Sequence, residues 1–119
     1  MLTNRKQIII DLDRICSDIT RMSKYCKRCA TTIGIESVHI FTRENISTRW
    51  DLDNIIPLCR KCHSWAHKNI NNFHVYIQRI YGKNKWENLV LRSNKIAKFT
   101  IEDLNNIKLC LQKILIEKK

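Results

Sequence analysis

Apolar residues recur every three or four positions early in the chain, which predicts an amphipathic helix over residues 4–23. A second series of this kind follows Thr100, which forms a capping-box-like start with Asp103, and predicts a last helix from residue 101. A third series ends at Gly82, a common signal for a helix C-terminus, with one or two further turns around Trp86. The apolar positions of the first helix are Ile8, Leu12, Ile15, Ile19 and Met22.

Two short apolar runs between these helices predict strands. One runs from Glu36 to Phe41 and the other over residues 55–58, and the polar stretch 43–54 between them has the composition of a loop. Residues 60–68 suit a further helix. Two short strands among several helices predict an α+β fold.

The charge balance is strongly basic. The 119 residues include 22 Lys and Arg but 11 Asp and Glu, giving a formal net charge of +11. A field of this sign attracts polyanions and favours DNA as a partner, although a solvated lysine-rich surface would give the same count. The apolar run Ile8–Ile10 is far too short for a secretory or membrane segment. We therefore expect no membrane association and a cytoplasmic location, in the host cytoplasm if the protein is phage-encoded.

Six cysteines occur in the chain, and four of them form two CxxC pairs separated by 29 residues. Two residues between thiolates let both sulfurs of one tight turn reach one ion, and two such turns complete the tetrahedral sulfur shell that Zn²⁺ favours. A redox CxxC motif or coincidental core cysteines would not explain the second pair. We predict a structural zinc site, with Cys16 and Cys110 as packing residues. The predicted ligands are Cys26, Cys29, Cys59 and Cys62.

Three histidines and one asparagine cluster around the two CxxC pairs. His39 lies on the first predicted strand, and Asn54 ends the polar loop. His63 and His67 are four residues apart on a predicted helix, so both imidazoles project from one face and could reach one metal ion. Singly, each has an ordinary explanation as a core histidine, a solvated histidine or a turn residue.

Together with the cysteines, this arrangement resembles the HNH endonucleases, also called the ββα-metal or His-Me finger fold. The stretch VHIFTRENISTRWDLDNIIPLCRKCHSWAHKN is most similar to the phage recombination proteins of the NinG type, and the resemblance spans roughly residues 10–95. It implies one nuclease domain over 1–119 with a zinc-bound, treble-clef-like ββα-metal core flanked by helices. The implied segments are an N-terminal helix at 1–24, the core at 25–70 and a helical extension at 71–119.

The resemblance also implies roles for the clustered residues. His39 would be the general base that takes a proton from the attacking water. A second divalent metal ion, Mg²⁺, Mn²⁺ or another, would bind at His63, with His67 as a further ligand. Asn54 would either join this metal shell or hold the loop so that His39 points correctly.

Two arginines have roles implied by the resemblance, and one position differs from the usual family pattern. Arg43 would grip DNA phosphate, and Arg49 would contact DNA or fix the loop by pairing with Asp51 or Asp53. Many HNH enzymes place a metal-binding Asp or His immediately before the general base, where this chain has Val38. Glu36 is a substitute ligand only if it reaches the metal from the strand face opposite His39.

The function expected from these residues is metal-dependent hydrolysis of phosphodiester bonds in DNA, including branched or recombination intermediates. Cutting both strands would need a homodimer, a larger assembly or two events. Two alternatives remain at this point. One is a zinc-bound module that holds DNA without cleaving it, and the other is an accessory subunit active only within a larger phage or recombination assembly.

Overall fold

A computed structural model describes residues 4–119, and over this range the chain forms five α-helices and one two-stranded antiparallel sheet. The predicted α+β class is confirmed. No helix in this range is long and apolar enough to cross a membrane. The helices are α1 Asn4–Arg21, α2 Arg60–Lys68, α3 Ile70–Tyr81, α4 Lys83–Ser93 and α5 Ile101–Lys118, and the strands are β1 Ile35–His39 and β2 Ile55–Cys59.

The sheet fixes the positions of the chemically important residues. His39, at the end of β1, pairs with Ile55 at the start of β2, while Ile35 pairs with Cys59 at the other end. Helix α2 begins directly after Cys59 and packs against both strands. Its histidines therefore lie beside the hairpin, whereas its first turn carries the second CxxC pair.

Two apolar clusters hold the described residues together. The first joins the hairpin to α2, α3 and α4 through buried residues such as Val38, Leu58 and Phe73. The second joins α1 to α5 and to the loop between the strands through Leu12, Trp50 and Leu104, among others. The hairpin contributes to both clusters, so the site-bearing strands are supported by helices that are distant in sequence.

The helical extension differs in two respects from its prediction. Helix α4 spans eleven residues instead of one or two turns, because Gly82 takes a positive φ of 83° that ends α3 and lets a new helix start at once. Cys110, predicted to pack, is exposed on α5, whereas Cys16 is buried as predicted. The capping box of Thr100 and Asp103 is confirmed at the start of α5.

Candidate metal centre and active site

The two CxxC pairs come together as predicted. The four sulfur atoms of Cys26, Cys29, Cys59 and Cys62 all lie within 4.8 Å of one another, so they could hold a metal ion such as zinc. In each pair the backbone N–H of the second cysteine points at the sulfur of the first, at 3.5 Å in the first pair and 3.4 Å in the second. Cys59 is at the same time the N-cap of α2.

The charge of this cluster explains why a cation would suit it. Burial of the Cys62 thiol and its contact with the other thiols raise its pKa, although Arg28 opposes this. The Nη1 of Arg28 lies 3.5 Å from the Cys62 sulfur, and its guanidinium stacks 3.7 Å from the centre of the Trp65 ring. Four thiolates this close repel one another, so a bound cation is needed for all four to ionise.

The His39 imidazole is held by one main-chain group. Its Nε2 donates to the carbonyl oxygen of Arg49 at 2.9 Å. Because a carbonyl oxygen only accepts, the proton of the neutral ring sits on Nε2 and the lone pair on Nδ1 is left free. Burial lowers the pKa of His39 below its usual value, and the positive charge of Arg43 acts in the same direction. The ring is therefore neutral at neutral pH.

An ion pair between α1 and the loop fixes that carbonyl group. Asp13 accepts from Nε and Nη2 of Arg49 at 3.1 and 2.7 Å, and from Nε1 of Trp50 at 2.9 Å. The prediction that Arg49 pairs with Asp51 or Asp53 is wrong: those carboxylates bind Arg92 of α4. Arg49 does fix the loop, but through a partner 36 residues away.

Asn54 is fully buried and fastens the same loop at its other end. Its Oδ1 accepts from the backbone N–H of Phe41 at 2.8 Å, and its Nδ2 donates to the carbonyl oxygens of Phe41 and Thr48 at 2.9 and 3.1 Å. This matches the loop-holding alternative. Both ends of the buried carboxamide are hydrogen-bonded to the main chain in this structure.

His63 and His67 share a pocket with His39. This cavity has a volume of about 350 Å³ and is also lined by Arg43. Its wall includes consecutive residues of β1, whose side chains point to opposite faces of the strand. The Nε2 atoms of His63 and His67, which lie one helical turn apart on α2, are 2.9 Å from each other. On its other side, His63 Nδ1 lies 2.9 Å from the carboxylate of Glu36.

The contacts of two residues near the site, Asp13 and Glu36, are not predictable from the sequence pattern. Asp13 lies on the polar side of an amphipathic helix, where no local pattern marks a partner in a distant loop. Strand alternation predicts that Glu36 lies on the face opposite His39, and it does not predict that α2 brings His63 within hydrogen-bonding distance of Glu36.

Comparison with known proteins adds no identification, since no protein-family model, curated protein or solved structure matches the chain.

Proposed function

We propose that this chain is a metal-dependent DNA endonuclease of the HNH type, which hydrolyses phosphodiester bonds. The observation that carries the proposal is the state of His39. Its ring is anchored through Nε2 to the Arg49 carbonyl, and it lines the same pocket as His63, His67 and Arg43. The family resemblance implies the same role for His39 from the sequence.

The His39 ring has the properties that a general base requires. A base must be within reach of the water molecule, unprotonated at the working pH, and able to stabilise the proton it accepts. The lone pair on Nδ1 is free, and burial lowers the pKa so that the ring is neutral. After Nδ1 takes a proton from water, the Nε2–H bond to the Arg49 carbonyl and the negative charge of Asp13 stabilise the imidazolium that forms.

His63 and His67 would hold the catalytic metal ion. The fit rests on the donor chemistry, since two imidazole nitrogens 2.9 Å apart on one helix face are a suitable pair of ligands for a divalent metal. Such an ion, when bound, would stabilise negative charge on the phosphate and on the departing oxygen. The four cysteines would hold a separate structural zinc ion, because four thiolates close its shell and leave no position for substrate.

The remaining charge would bind the DNA backbone. Arg43 is exposed on the wall of the pocket and would form charge-assisted hydrogen bonds with phosphate. The net charge of +11 would attract the rest of the duplex without regard to sequence. The resemblance also implies DNA contact for Arg49, but its guanidinium forms an ion pair with Asp13.

One observation favours the second candidate, a zinc-bound module that holds DNA without cleaving it. Val38, at the position where many HNH enzymes carry a metal ligand, is buried in the first apolar cluster. The catalytic ion would then depend on the two histidines of α2 alone for its nitrogen ligands. The neutral, anchored His39 has no evident use in a module of this kind.

The deciding experiment is incubation of supercoiled plasmid and of branched DNA with the purified protein. Mg²⁺ and Mn²⁺ would be tested separately, with a chelator control and with His39→Ala prepared in parallel. The proposal predicts metal-dependent nicking by the parent and a loss of about 10²–10⁴-fold in His39→Ala. DNA binding without nicking, equal in both proteins, would favour the binding module.

A further inference from the structure

A short chain of contacts links β1 to the pocket through α2. Oε1 of Glu36 lies 2.9 Å from Nδ1 of His63, and Nε2 of His63 lies 2.9 Å from Nε2 of His67. The Glu36 side chain is 39% exposed and that of His63 is 28% exposed, so neither is enclosed in the core. The contacts therefore lead from the Glu36 carboxylate, through the His63 imidazole, to the imidazole of His67.

The carboxylate decides which nitrogen of His63 carries the proton. An ionised carboxylate only accepts hydrogen bonds, so Nδ1 of His63 must be the donor in this contact. In the neutral ring the lone pair then lies on Nε2, the atom beside Nε2 of His67. A carboxylate that holds the far nitrogen of a metal-bound histidine fixes the ring orientation and makes the ligand more basic.

We propose that Glu36 is a positioning residue for the metal site of His63 and His67. Its carboxylate accepts a hydrogen bond from Nδ1–H of His63, so the lone pair on Nε2 faces the metal ion. This inference rests on the proposed function, because it concerns the same metal site. Glu36 acts through His63 in this arrangement and is not itself a ligand. Its second oxygen lies 4.0 Å from Nε of Arg60.

The place of Glu36 in the sheet explains how a residue on this strand reaches the helix. Glu36 pairs with Leu58 in the sheet, and Val38 pairs with Ile56 on the same face. Val38 and Leu58 pack with Ala66 of α2 in the first apolar cluster, so this is the face that α2 covers. Glu36 lies on the face opposite His39, and because α2 covers that face, Glu36 can contact His63, the proposed metal ligand.

The test uses the full chain with its four-cysteine site loaded with zinc. Mn²⁺ affinity would be measured by electron paramagnetic resonance of free Mn²⁺, and the His63 tautomer by long-range ¹H–¹⁵N NMR at about pH 8.5, well above the ordinary histidine pKa. The variants are Glu36→Ala and Glu36→Gln, and the amide oxygen of the Gln variant can still accept the hydrogen bond from Nδ1–H. The matched control is Glu44→Ala, which removes the same charge from a residue that lines the pocket. Among residues 4–119, Glu44 has no hydrogen-bond or ion-pair partner.

The expected result is a loss of Mn²⁺ affinity of about 10–100-fold in Glu36→Ala, the range seen when such an outer partner is removed. The His63 proton should also leave Nδ1 in this variant. Glu36→Gln should keep the tautomer and most of the affinity, and Glu44→Ala should lose only the small effect of one exposed charge.

Two results would overturn the inference in distinguishable ways. If the parent binds Mn²⁺ at the two histidines and nicks DNA, but Glu36→Ala matches it, Glu36 has no positioning role and the nuclease proposal stands. If Mn²⁺ leaves the His63 and His67 resonances of the parent unchanged, with protons on both His63 nitrogens, the metal site fails together with the inference. Glu36 and His63 are then only an ion pair.

Discussion

The carboxamide of Asn54 pairs with both backbone groups of Phe41, accepting from its N–H at 2.8 Å and donating to its carbonyl at 2.9 Å. The main chains of the two segments are also joined directly, since Ile40 N–H donates to the Asn54 carbonyl at 2.7 Å. These bonds extend the pairing of β1 and β2 beyond the last ladder position at His39. The loop that carries the Arg49 carbonyl is thereby closed at its base.

Replacing Asn54 by Ala should lower the free energy of unfolding by about 2–4 kcal/mol, because buried backbone groups of Phe41 and Thr48 lose their partners. Urea denaturation measures this loss. Asn105→Ala, at an exposed position on α5, is the control and should be close to neutral. Metal affinity at the histidine pair should be unchanged in folded Asn54→Ala, and a large loss there would return Asn54 to the metal shell.

Zinc should be required for folding if the four cysteines hold it. Purified protein should contain about one tightly bound zinc ion per chain, because the binding free energy of such a site is folding free energy. Cys62→Ser should unfold or aggregate, whereas Cys110→Ser, at an exposed cysteine, should behave like the parent. Elemental analysis measures the zinc content, and thermal melting measures the stability of each variant. An unchanged melting temperature after removal of the metal would contradict a structural role.

Activity should persist at pH values where an ordinary histidine is already protonated. Since burial lowers the pKa of His39, the acid limb of kcat/KM should have its midpoint below about pH 6.5. Arg43→Met should move this midpoint upward, because the Arg43 charge lowers the pKa of His39. A midpoint unaffected by Arg43→Met would mean that the titrating group is not His39.

The same pKa shift has a consequence for stability. The unfolded chain binds a proton at His39 at a higher pH than the folded chain, so the contribution of the neutral ring is complete above about pH 6.5 and is lost as pH falls through and below that value. Urea unfolding between pH 7.5 and about 5 should therefore show a steeper loss of stability in the parent than in His39→Gln. Parallel pH dependence in the two proteins would exclude a depressed pKa at His39.

Added metal should separate the roles of the two histidines. His63→Ala removes a proposed ligand, so raising Mn²⁺ should restore part of the nicking activity, whereas no metal concentration should restore His39→Ala, which lacks a proton acceptor. If His67 is the second ligand, added Mn²⁺ should likewise restore part of the nicking activity of His67→Ala. Imidazole ligands favour transition ions, so Mn²⁺ should also support activity at lower concentration than Mg²⁺. Rescue of His39→Ala by metal would show that the assignment of the base is wrong.

Local patterns in the sequence predicted the parts of the structure that local forces determine. The apolar spacing predicts α1, the short apolar run around His39 predicts β1, and the two CxxC pairs predict the cysteine cluster. The partners of Arg49 and Glu36 were not predictable in this way, because each depends on how helices dock against the hairpin. An ion pair spanning 36 residues, such as that of Asp13 and Arg49, leaves no periodicity in either segment.

The packing of α1 against α5 sets an order for folding during synthesis. About 80 residues separate Arg21 at the end of α1 from Ile101 at the start of α5, so α1 leaves the ribosome long before its main apolar partner exists. The cluster around the hairpin, α2, α3 and α4 lies within a continuous stretch and can form in the meantime. The four cysteines of the nascent chain can therefore come together before α5 is available to cover the apolar side of α1.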